Sequence, residues 1–109
     1  MSSLRPRIQQ KLDGMVARVQ ELLAQSADPK LLERPDRLAS LQRELGQTTP
    51  IVRRYEQWTS VLRQLGEHRA LIGGSDKDLA ELAAAELPDL EQQEKEGAEA
   101  LVDLLLSEQ

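Results

Sequence analysis

An all-α protein, built as an antiparallel three-helix bundle or coiled coil of long helices, is the fold class this sequence predicts. Three observations carry the prediction. The apolar residues are mostly Leu and Ala, with no Cys, no Phe, one Trp and one Tyr in 109 residues, a vocabulary poor in strand formers. They recur in steps of three and four along three stretches. Two breaks, ADPKLLERPD and GGSD, separate those stretches.

The first helix is expected over about residues 6–24. Pro6 suits its opening turn, where a missing N–H costs no helical hydrogen bond. Ile8, Leu12, Met15, Val19 and Leu22 step by 4, 3, 4, 3, and Val16 and Leu23 widen the stripe. The pattern then fails across AQSADPKLLERPD. Asp28 is placed to cap a short helical turn begun by Pro29, and Pro35 disfavours helical geometry at Arg34.

A second helix is expected over 36–72, either broken or kinked at Pro50. Leu38, Leu41 and Leu45 form its first seam. Beyond Pro50 the seam resumes as Ile51, Tyr55, Trp58, Leu62, Leu65 and Ile72, with Arg69 taking one position. Thr48 and Thr49 stand ready to cap a new helix, so the pattern leaves both outcomes open while favouring one long, bent helix. Gly73 and Gly74 supply a stop, and Ser75 with Asp78 three residues later reads as a capping box. The third helix, over 76–107, carries Leu79, Leu82, Ala83, Leu87 and Leu90, then Ala98, Leu101, Leu104 and Leu105. Its apolar stripe nearly vanishes across EQQEKEG, and Pro88 is expected to bend it.

This length has room for one domain, residues 1–109, with a modest core. Without Cys there are no disulfides and no thiolate nucleophiles or ligands. No apolar run approaches the roughly 18–20 residues that cross a bilayer, and MSSLRPRIQQ lacks the apolar stretch of a secretory signal. The sequence therefore reads as soluble and cytoplasmic, with no membrane partner. Its net charge of -5 is unevenly spread. Residues 1–72 carry 12 Lys+Arg against 8 Asp+Glu, and residues 73–109 carry 2 against 11. Either the acidic helix pairs with the basic ones across the seams, or part of the Arg-rich surface stays free to meet phosphate.

Catalytic equipment is not evident. His68 stands between Glu67 and Arg69 without a second His, and Leu65 occupies the place where a Glu-x-x-His site needs its Glu. It reads as an ordinary, partly exposed helix residue. Glu91, Glu94, Glu96 and Glu99 spread around a helix at their spacing and read as a solvated face. Gly73-Gly74 lacks the strand before it and the Lys-Ser/Thr after it that a phosphate loop requires. The chain is read as no enzyme, with no cofactor, no metal and no small-molecule substrate. Arg53, Arg54, Arg63 and Arg69 are guanidinium groups on one helix, fit to clamp phosphate, and Arg53 and Arg54 are the candidate RNA contacts. Tyr55 and Trp58 fall on the apolar seam and read as core.

The order of QQKLDGMVARVQELLAQ, DRLASLQRELGQTTPIVRRYEQW, SDKDLAELAAAELPDLEQQ and the terminal LVDLLL resembles the amino-terminal domain of bacterial class I peptide chain release factors, closest to the release factor 1 branch. The resemblance rests on Arg43-Glu44-Leu45, Pro50-Ile51-Val52, Tyr55 with Trp58, the acidic opening Asp76 to Leu82, and Leu104-Leu105-Leu106. Pro88 and the ending Ser107-Glu108-Gln109 depart from the family pattern. The resemblance implies a helical accessory domain that positions a translation termination factor on the ribosome. Its contacts would be the stalk base with its rRNA and the GTPase that recycles the factor. The family's Gly-Gly-Gln hydrolysis loop and its codon-reading tripeptide lie beyond these residues, so no catalytic residue carries over. On this reading the chain is a domain excised from a longer factor. The alternative is a free-standing coiled-coil scaffold whose seam completes a homodimer.

Overall fold

In a computed structural model, residues 2–107 are described, and among them there are three α-helices and no strand. Helix α1 is Pro6–Ser26, α2 is Pro35–Ile72 and α3 is Lys77–Ser107, with one short 3-10 helix, Pro29–Glu33, between α1 and α2. The chain clusters into two compact units. One is Arg5–Arg53; the other joins the N-terminal segment through Leu4 to Arg54 and the residues after it. The border falls inside α2.

In the unit Arg5–Arg53, α1 runs two residues past its expected end. Its last carbonyls are met by the N–H groups of Ala27 and Asp28, which donate to Ala24 and Gln25 at 3.3 and 3.1 Å. Asp28 then caps as expected, its carboxylate accepting from the Lys30 N–H at 3.0 Å in front of Pro29. Leu12, Val19 and Leu22 are buried, and Ile8, Met15 and Val16 are half-buried, on the stripe the sequence marks. Leu23 departs from it, with 54 % of its surface exposed.

Helix α2 passes through Pro50 without a break. A proline there removes the hydrogen bond to the carbonyl of Gly46, and both Pro50 and Gly46 lie on the exposed side, where water takes over that carbonyl. Pro88 is carried within α3 in the same way, with Pro88 and Ala84 both exposed.

In the second unit α2 ends at Ile72, before the expected Gly-Gly stop, and the connection differs from expectation in the cap of α3. Gly73 and Gly74 donate to Arg69 and Leu71 at 3.2 and 3.0 Å, and neither has a positive φ. Gly74 serves instead by close approach, since a Cβ there would stand 3.2 Å from the Leu71 carbonyl oxygen. The cap of α3 is Asp76, which accepts from the Leu79 N–H at 3.1 Å, rather than a box made by Ser75 and Asp78. The carboxylate stands immediately before the first helical residue, Lys77, so it reaches the third amide while Ser75 stands one residue too early. Leu65, Leu90, Ala98, Leu101 and Leu105 are buried. Leu62 is only half-buried, and Leu71, Ile72, Leu79 and Leu82 are exposed where α2 ends and α3 begins.

Candidate functional site

Two features bear on function, a buried polar node in the second unit and exposed cations on α2. The node is built on Trp58, 2 % exposed, which stacks on Tyr55 with ring centroids 5.9 Å apart and planes 13° off parallel. Its indole N–H donates to the Glu94 carboxylate at 3.0 Å and lies 3.2 Å from the Glu94 carbonyl oxygen. Glu94 is 5 % exposed, and the same carboxylate accepts from the Ser3 N–H at 2.9 Å and the Ser3 hydroxyl at 2.6 Å. A Cβ at Gly97 would meet the indole at 3.2 Å, so the bare backbone of α3 admits the ring.

The expectation of a solvated acidic face is therefore corrected at Glu94, while Glu91, Glu96 and Glu99 are exposed as expected. The physical reason is the register. Leu90, Glu94, Ala98, Leu101 and Leu105 follow one another by fours and threes, which puts Glu94 on the buried stripe, and three donors satisfy it there. Sequence reasoning missed Ser3, Glu94 and Gly97 as a group. The legible signal was the charge standing in the seam register.

Burial drives the Glu94 carboxyl upward, but the hydrogen bonds from Ser3 and the indole outweigh it and hold the group below its ordinary value. A carboxyl whose folded value is lowered adds stability that is full above its unfolded value and lost as pH falls through the folded one. Glu94→Gln is expected to destabilise the unit by about 1–3 kcal/mol at neutral pH, because the amide can present only one acceptor oxygen where two edges are needed. The gap to the parent protein should then shrink on acidification below about 4.5, the ordinary value for this group. Urea unfolding across acidic pH measures it.

His68 is held between two acceptors. Its Nδ1 lies 2.8 Å from the Gln64 carbonyl oxygen and its Nε2 lies 2.7 Å from the Glu86 carboxylate. Each ring nitrogen meets an oxygen that only accepts, so the doubly protonated ring fits best, and the Glu86 and Gln64 hydrogen bonds raise its pKa above the ordinary 6.5. This ties α2 to α3 and makes His68 a structural residue. With the folded value raised, the stability it adds is full below 6.5 and lost as pH rises through the folded value. His68→Gln should therefore lower the melting temperature at mildly acidic pH and cease to matter at alkaline pH, as a thermal melt series would read out.

The expected RNA contacts, Arg53 and Arg54, are both exposed. Among the described residues neither has an ion pair. Arg54 also lines a shallow groove with Gln57, Val61, Gln93 and Glu96. Of the other two candidates, Arg63 approaches Glu67 at 3.7 Å and Arg69 is exposed. Tyr55 and Trp58 are buried, as the seam indicates. Among the described residues no group of three or more His, Asp or Glu is placed to hold a metal ion. Among the described residues no helix is long and apolar enough to cross a membrane.

Comparison with known proteins adds what the geometry alone does not carry. The PCRF domain family matches residues 15–109. A protein named Peptide chain release factor 1 from Sorangium cellulosum (strain So ce56) is 38 % identical over 96 residues, covering 88 % of this chain and 26 % of the relative. Its namesake in Geobacter sulfurreducens is 33 % identical over 97 residues, 89 % of this chain and 26 % of the relative. Another from Lactobacillus johnsonii is 27 % identical over 101 residues, 92 % and 28 %. The chain thus spans about a quarter of the length of these curated relatives. No solved structure gives a significant match. With its helices, its seams and a match running over nearly its whole length, the chain belongs to the PCRF domain family.

Proposed function

We propose that this chain serves as the amino-terminal helical domain of a translation termination factor in the cytoplasm, positioning the factor on the ribosome near the stalk base. The observation that carries the reading is the PCRF match over residues 15–109, together with relatives named Peptide chain release factor 1. Arg53 and Arg54 are its rRNA contacts, two exposed guanidinium groups with no ion pair among the described residues. A further contact is made to the GTPase that recycles the factor. Ester hydrolysis and codon reading belong to the remaining three quarters of the factor, and the domain contributes orientation and residence time.

The test is cosedimentation with ribosomes. Arg53→Glu with Arg54→Glu is expected to leave the melting temperature within a degree or so, since exposed substitutions change stability by about 0.5 kcal/mol or less. Ribosome affinity should fall at least about tenfold, and its salt dependence should weaken with the loss of phosphate contacts. Unchanged affinity removes these two residues from the reading. Peptidyl-tRNA release by the isolated chain would overturn the assignment of chemistry elsewhere.

A further inference from the structure

The unit Arg5–Arg53 holds a feature that this reading leaves unused. The end of α1, the 3-10 helix and the first turns of α2 enclose an open groove of about 490 Å³. Its floor is leucine, with Leu22 and Leu41 buried and Leu31 half-buried. Its rim is cationic. Lys30, Arg34 and Arg37 are exposed, and among the described residues none of these three side chains makes an ion pair or a hydrogen bond.

The groove's own carboxylates are committed elsewhere. Asp28 accepts from the Lys30 N–H, and Glu44 is gripped by both edges of the Arg18 guanidinium at 2.6 and 2.9 Å. That fork pairs the Glu44 charge with Arg18 and holds the Glu44 carboxyl below its ordinary value, so Glu44 does not neutralise the rim. On the 3-10 helix, Leu32, next in the chain after Leu31, is 74 % exposed.

We infer that this groove docks an acidic amphipathic helical segment of a partner protein, its leucine-like face on Leu31 and Leu32 and its carboxylates against Lys30, Arg34 and Arg37. Charge complementarity selects the sign of the occupant, and the leucine floor selects its class. Single-stranded RNA is gripped by aromatic side chains interleaved with cations, and the two aromatic residues of this chain are buried in the other unit. A nucleic-acid backbone gains nothing from exposed leucine, whereas an amphipathic helix buries it. The inference uses residues other than Arg53 and Arg54 and stands apart from the termination reading.

The experiment is an NMR titration of the whole 109-residue chain with three synthetic helical peptides. They share leucines at i, i+4 and i+7 and differ only in carrying Glu, Gln or Lys between them. A single-stranded RNA 12-mer, roughly matched in charge density, is the fourth probe. The Glu peptide is expected to bind about tenfold more tightly than the Gln peptide, with shifts confined to residues 18–44. Arg34→Glu with Arg37→Glu should reverse the preference towards the Lys peptide while leaving the melting temperature unchanged. Leu32→Ser should weaken the Glu peptide severalfold. Equal binding of the Glu and Gln peptides, tighter binding of the RNA, or shifts outside the groove would each overturn the inference.

Discussion

Leu65→Asp is expected to unfold the unit that contains it, whereas Leu62→Asp, three residues earlier on α2, should only weaken it. Leu65 is 1 % exposed, and a carboxylate there loses its hydration without meeting a donor, a cost of several kcal/mol. A domain of this size has about 5–15 kcal/mol to lose in total, and a half-unit less. Leu62 is half-buried, so an aspartate at that position can turn its carboxylate to water and forfeits only part of the apolar contact. Urea denaturation followed by far-UV circular dichroism separates the two. Equal losses would mean that the buried face of α2 is displaced by a turn from the one described.

That contrast also shows where the sequence was readable. Period and breaks were enough for three helices, because Leu12, Val19 and Leu22, or Trp58 and Leu65, are buried for the same reason that they recur by threes and fours. The capping of the short turn by Asp28 was readable as well, since it depends on a carboxylate two residues from the amide it meets. Long-range geometry was not. Nothing local tells that Ser3 reaches Glu94, 91 residues away, or that Gly97 leaves room for an indole. Composition steered the reading of EQQEKEG towards solvent, yet the helical register of Glu94 pointed inward, and register prevailed because three donors were waiting. At Pro50 the sequence left a break or a kink open while favouring one continuous helix. The helix runs on because the lost hydrogen bond falls on an exposed carbonyl, where water replaces it at little cost. For Arg53 and Arg54, sequence identified the residue type and the exposed face, and what they touch lies outside the chain.

Trp58→Ala should cost about 3–5 kcal/mol, the range for removing a large buried aromatic side chain. The loss has two parts that a second substitution can separate. Trp58→Phe keeps most of the apolar area and the stacking partner for Tyr55, but it deletes the indole N–H. Glu94 then retains only the two Ser3 donors, so Phe should cost about 1–3 kcal/mol by itself. The remainder of the alanine loss is packing, the empty slot against the backbone at Gly97. If the hydrogen bond matters as argued, the Phe variant should also show a weaker dependence on acid pH than the parent, because the indole is one of the donors holding the Glu94 carboxyl down. A Phe variant as stable as the parent at neutral pH, with an unchanged acid limb, would mean that Ser3 alone satisfies Glu94 and that Trp58 serves the fold by its volume.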